Sequence, residues 1–195
     1  MNVSNEDAQA SLADIEDVMK RTRKVIASTY TSPFLILWGL VWIVAFLGTH
    51  FFTARANFIW MTLNSIGVVA TFLISRRQFV GAPAVKNPAE RKFGLRIFWF
   101  WILVFGYAFI WLAILTPQNG LEMNAFLCTA MMFAYVVLGL WLENMSMVVL
   151  GLAVTAVTLA GFYLVPHSYY CIWMALLGGG ALLGTGLYMR IRWRR

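Results

Sequence analysis

An Asn-Ser pair, Asn64-Ser65, and a run of three glycines, Gly178-Gly179-Gly180, stand out from an otherwise apolar chain. Each falls near the middle of a long uncharged stretch, and Tyr107 sits within another. Together they have the makings of a midplane pocket. A carboxamide and two hydroxyls supply donors and acceptors, and glycines leave room for a small uncharged ligand. The same residues also fit a packing role. Gly180-x-x-x-Gly184 lets two helices approach closely, and Asn64 inside a bundle then needs a hydrogen-bond partner on a neighbouring helix.

Other chemistries lack their groups. Ion- and proton-coupled carriers place an ionisable side chain within the bilayer, and no long apolar stretch of this chain holds Asp, Glu, Lys or Arg away from its ends. The sequence has no paired-His arrangement for haem, no His-Glu-x-x-His, no Gly-x-Ser-x-Gly elbow and no phosphate-binding glycine loop. His50, Asn57, Glu122, Asn124 and His167 all fall near one expected membrane surface, but their spacing matches no metal motif. Cys128 and Cys171 lie at different depths with no His or basic neighbour in sequence, and free thiols are expected. The expectation is a non-enzymatic chain with no cofactor and no metal.

The elements that must position these residues follow from composition. The 195 residues are 61% hydrophobic and 12% charged, with mean hydropathy +0.74. Soluble domains carry about 25% charged residues. Six uncharged stretches approach the roughly 20 residues needed to cross a bilayer: 33–52, 56–75, 97–115, 123–142, 145–165 and 169–189. Backbone polar groups in lipid must be satisfied within their own segment, so each stretch becomes a helix. The expected fold is all-α, a polytopic bundle of six transmembrane helices.

Basic residues set the expected orientation, because Lys and Arg beside spans are retained on the cytoplasmic side. Lys20, Arg21, Arg23 and Lys24 precede the first span. Arg76, Arg77, Lys86, Arg91, Lys92 and Arg96 lie between the second and third, and Arg190, Arg192, Arg194 and Arg195 follow the last. Arg55 alone falls on the other side. Both termini are therefore expected in the cytoplasm, with the chain in a plasma membrane or bacterial inner membrane. Tryptophans agree, since Trp60, Trp111 and Trp173 fall near outer ends and Trp99, Trp101, Trp141 and Trp193 near inner ends. Trp38 and Trp42 lie deeper, one turn apart, as packing residues. No cleavable signal sequence is visible. The net charge of +7 is assigned to topology and anionic headgroups rather than to nucleic acid, for which the chain has no recognition module.

Residues 1–32 read as a cytosolic segment, with an amphipathic helix over about 11–28. Leu12, Ile15, Met19 and Ile26 form its apolar stripe, Ser11 caps its start, and acidic residues precede basic ones in line with the helix dipole. The stripe suits the membrane surface, or docking to a cytosolic or membrane protein or to a second copy of the chain. Residues 33–189 form the membrane domain, 76–96 a basic inner loop with Gly81, Pro83 and Pro88, and 190–195 a basic tail.

Residues 33–77 laid over 146–190 at an offset of 113 match at Leu37/Leu150, Val41/Val154, Val44/Val157 and Gly48/Gly161. The matches continue at Ile59/Ile172, Trp60/Trp173, Met61/Met174, Leu63/Leu176, Gly67/Gly180 and Arg77/Arg190. Both segments run in-out-in, so three helical hairpins are expected, the first and third related as a parallel repeat.

Size, six charge-free spans and inner termini resemble the general plan of the substrate-capture subunits of energy-coupling-factor vitamin transporters. The first span carries Gly39, Ala45 and Gly48 but not the Ala-x-x-x-Ala spacing of those subunits. The resemblance is one of architecture and carries over no residue. Two functions are therefore expected: a membrane scaffold, regulatory or accessory protein with a docking helix, or a small-solute carrier or capture subunit with the midplane site.

Overall fold

The computed structural model describes residues 31–81 and 88–192. The stripe of Leu12, Ile15, Met19 and Ile26 lies outside the described residues. Six helices are long and apolar enough to cross a membrane. They are α1 (Thr31–Phe51), α2 (Ala56–Gly81), α3 (Pro88–Leu115), α4 (Gly120–Trp141), α5 (Met145–Leu164) and α6 (His167–Ile191). No strand occurs among the described residues.

Residues 76–96 are largely helical. α2 runs on to Gly81 and α3 begins at Pro88, so Arg76, Arg77, Arg91, Lys92 and Arg96, expected in a loop, sit on helix ends instead, while Lys86 lies outside the described residues. The physical reason is that loss of hydropathy ends the hydrocarbon crossing but not the helix. Arg and Gln are good helix formers, and Pro is tolerated in a first turn.

Packing is uneven. About a third or more of the residues in α1, α4, α5 and α6 are buried, against 6% in each of α2 and α3. Along α1 the buried positions Leu35, Gly39, Trp42 and Phe46 recur at helical spacing, as do Met147, Leu150, Val154, Thr158 and Gly161 along α5. Buried Thr158 satisfies its hydroxyl by donating to the Val154 carbonyl at 2.8 Å.

Glycines set the closest contacts. Along the α1–α6 seam, Gly39 meets Leu183, Gly179 meets Ile43 and Gly186 meets Ile36. The contacts advance along one helix as they retreat along the other, which makes the pair antiparallel. α4 and α5 pair the same way through Gly139 against Val148 and Gly151 against Met132 and Val136. Their connection is a tight turn in which Glu143 takes φ 53°, the left-handed region that residues other than glycine seldom enter.

α2 attaches to α1 through Trp38. Its ring lies over Gly67, and its indole N–H donates to Thr71 Oγ1 at 3.2 Å. α3 attaches to α4 through Trp101, whose ring meets Tyr135 edge-on at 5.7 Å.

α6 is not uniform. A 3-10 turn at His167–Tyr169 leads into one α-turn, Tyr170–Trp173, then a π-helical segment, Met174–Gly179, and a final α-helix, Gly180–Arg192. The Gly180 N–H donates to the Ala175 carbonyl five residues back. Glycines 178–180 give this wide turn a backbone without side chains to crowd it.

Candidate functional site

The midplane candidates do not form one pocket. Gly178 and Gly179 are buried at the α1 contact. A Cβ on Gly178 would lie 3.1 Å from Met174 Cε and 3.6 Å from the Trp42 ring, and one on Gly179 would lie 2.7 Å from Ile43 Cγ1 and 3.0 Å from its backbone nitrogen. The space left by these missing side chains is already occupied by α1 and by the π-segment itself. Gly180, one position on, has no neighbour within 4 Å of its would-be Cβ, and neither does Gly184. The close approach expected of Gly180-x-x-x-Gly184 is made instead by Gly179 and Gly186.

Asn64, Ser65 and Tyr107 lie on outer surfaces. Both α2 residues are exposed, and Tyr107 is 62% exposed on α3. α2 uses its Trp60, Leu63, Gly67 and Thr71 side to meet the bundle, which turns Asn64 and Ser65 outward.

An aromatic cluster missed by the sequence reading occupies the half of the bundle opposite the basic helix ends. Fully buried Phe46 meets Trp42 at 5.9 Å, Trp60 at 5.0 Å and Tyr170 at 6.4 Å, each edge-to-face. Trp60 Nε1 and the Tyr170 hydroxyl are buried there without a hydrogen-bond partner. Both groups can donate to an acceptor atom. The available signal was Phe46 four residues after Trp42, on the same face of α1.

Nearby, Trp173 Nε1 donates to the Val157 carbonyl at 2.9 Å, and a Cβ on Gly161 would lie 2.7 Å from Trp173 Cδ1. Trp173 is thus keyed into a notch of α5 and bound to its backbone. Trp173→Phe is expected to cost about 1–2 kcal/mol through loss of this bond and of ring contact. Thermal unfolding in detergent checks it, and an unchanged melting temperature would refute the anchoring role.

Towards the basic end, Arg96, Trp99, Phe100 and Leu103 of α3 and Val137 and Trp141 of α4 line an open apolar groove of about 420 Å³. It is distant in sequence from every midplane candidate except Tyr107. The two tryptophans are those expected at the inner interface.

The polar residues at the opposite ends serve local structure. Asn119 caps α4 by accepting from the Glu122 N–H at 2.9 Å. The Glu122 carboxylate in turn accepts from the Gln118 N–H and from Asn119 Nδ2, both at 2.9 Å. This reciprocal arrangement follows from an Asn-x-x-Glu spacing. The His50 ring lies against Phe51. Among the described residues no three of His, Cys, Asp or Glu gather as a metal site, and Cys128 and Cys171 are free thiols. Comparison with protein-family models, curated proteins and solved structures finds no match.

Proposed function

We propose that this chain is a non-enzymatic membrane scaffold, regulatory or accessory protein, inserted in a plasma or bacterial inner membrane with both termini cytoplasmic. Its N-terminal amphipathic segment docks a cytosolic or membrane partner, and its basic helix ends hold anionic headgroups. The observation that carries this reading is the filled midplane: Trp42, Met174 and Ile43 occupy the space beside Gly178 and Gly179. A solute carrier needs that space open. The concentration of Arg76, Arg77, Lys92, Arg96 and Arg190 at helix ends supports the orientation.

The relation between the first and third hairpins belongs to the same proposal. Gly48 of α1 receives Ile59 of the returning chain, and Gly161 of α5 receives Trp173. These glycines are the pair matched at the offset of 113, and their like use supports a parallel repeat.

Affinity purification of the full chain and of a form lacking residues 1–28 tests the docking role. The shortened form is expected to lose its co-purifying proteins while remaining monodisperse in detergent. An unchanged set of co-purifying proteins would overturn the reading.

A further inference from the structure

Asn64 sits about 12 Å along α2 from its start at Ala56 and about 18 Å from Arg76, at 1.5 Å per residue. That is deep within roughly 30 Å of hydrocarbon. Its side chain is exposed, and among the described residues it has no hydrogen-bond partner. Acyl chains offer a carboxamide nothing to bond, so a lone amide at this depth is poorly accommodated. Several threonines in the spans solve the same problem locally. Thr129, Thr155 and Thr158 each donate to a carbonyl of their own helix.

We propose that the chain self-associates through the Asn64 face of α2, with the Asn64 amides of two copies hydrogen-bonded to each other. Three observations select a second copy as the occupant. First, a carboxamide is both donor and acceptor, so two of them related by a twofold axis satisfy each other reciprocally. Second, copies inserted the same way place Asn64 at the same depth, and their α2 helices meet in parallel at matched register. Third, the exposed residues Asn57, Met61, Asn64 and Val68 recur at alternating four- and three-residue spacing along α2, ending before Thr71, which meets Trp38 of the bundle. A polar residue at one seam position fixes register. The bundle leaves Asn57, Met61, Asn64 and Val68 exposed. The inference is independent of the proposed N-terminal docking role.

Geometry distinguishes the seam from the rest of an exposed helix. At 100° per residue, Val68 lies within about 40° of Asn64, whereas Ile66 lies about 160° away. Both are exposed, at 58% and 55%.

The test uses the full chain in phosphatidylcholine vesicles across a range of protein densities, with dimer fraction read by single-molecule photobleaching. Wild type is expected to dimerise. Asn64→Leu should raise the dimer dissociation constant about tenfold or more, and Asn64→Gln, which keeps the amide, should retain most of the association. Oxidative cross-linking, scored above the background of the two native thiols, should join Val68→Cys copies and leave Ile66→Cys copies unjoined. Removal of residues 1–28 should leave the dimer intact. A wild type that stays monomeric at every density, because lipid or a different membrane protein covers the face, overturns the proposal. So does an Asn64→Leu dimer of unchanged strength, or equal cross-linking at both cysteine positions.

Discussion

Gly39→Val is expected to separate α1 from α6 and destabilise the bundle by at least about 3 kcal/mol, the upper range for overpacking a well-filled interior. A Cβ at this position would lie 2.6 Å from Leu183 N and 2.9 Å from Leu183 Cα. Both are backbone atoms, so no rotamer change relieves the overlap and a whole helix must move. That movement also opens the flanking contacts. Gly186 meets Ile36 about one turn to one side, and Gly179 meets Ile43 about one turn to the other. Three close approaches spread over the eight residues 36–43 of α1 thus fail together. In a bilayer little compensates for them, because lipid is as apolar as the side chains and helix association rests on close packing. The measurement is the fraction of monodisperse protein remaining after stepwise heating in detergent. Gly184→Ala is the control on the same helix: no atom lies within 4 Å of its would-be Cβ, so it should match or slightly exceed the wild type. Equal loss in both variants would mean that helix flexibility, not the seam, sets stability.

Gly151→Val is the second large effect, expected at about 2–3 kcal/mol and located between α4 and α5. Here the added carbon would lie 2.7 Å from Val136 Cγ2 and 2.8 Å from the Met132 carbonyl oxygen. The valine side chain can turn aside, but the carbonyl belongs to the α4 backbone. The two helices cannot separate freely, because the turn holding Glu143 at positive φ joins them and Gly139 meets Val148 beside it. Strain therefore concentrates at the end of the pair away from the turn, where Thr158 and Gly161 are buried. Loss of heat resistance should be accompanied by faster proteolysis of the hairpin. Gly106→Val on α3, with no neighbour within 4 Å, should leave both unchanged.

These two seams show where the sequence could and could not be followed. The six spans were legible, because in hydrocarbon each segment must satisfy its own backbone and few residues tolerate the environment. The expected start at 145 and end at 115 coincide with the helix ends Met145 and Leu115. α2 and α3 overrun their expected basic ends, since charge marks the edge of the lipid and not the end of hydrogen bonding.

Side-chain partnership was less legible. Gly180 and Gly184 have the spacing of a packing motif, yet Gly179 and Gly186 make the contacts. A period of 3.6 residues cannot be carried through the π-helical turn at Met174–Gly179. Asn64 was expected between helices and stands outside them, because its depth follows from its position in the span but its direction depends on which face of α2 meets Trp38. The Phe46 cluster combines residues from α1, α2 and α6, and sequence separation conceals such a meeting.

By itself, the sequence determined that this chain is an all-helical membrane protein with six spans and charge confined to their ends. That much follows from transfer of each segment into lipid, a property each segment has alone. Only the tertiary structure decided that α1, α4, α5 and α6 form the core, that Trp42 and Ile43 fill the space beside the glycine run, and that Asn64 faces outward. Those outcomes depend on how close two backbones can come. In an interior where every helix is equally apolar, hydropathy cannot rank one face against another, and a missing Cβ decides which faces meet.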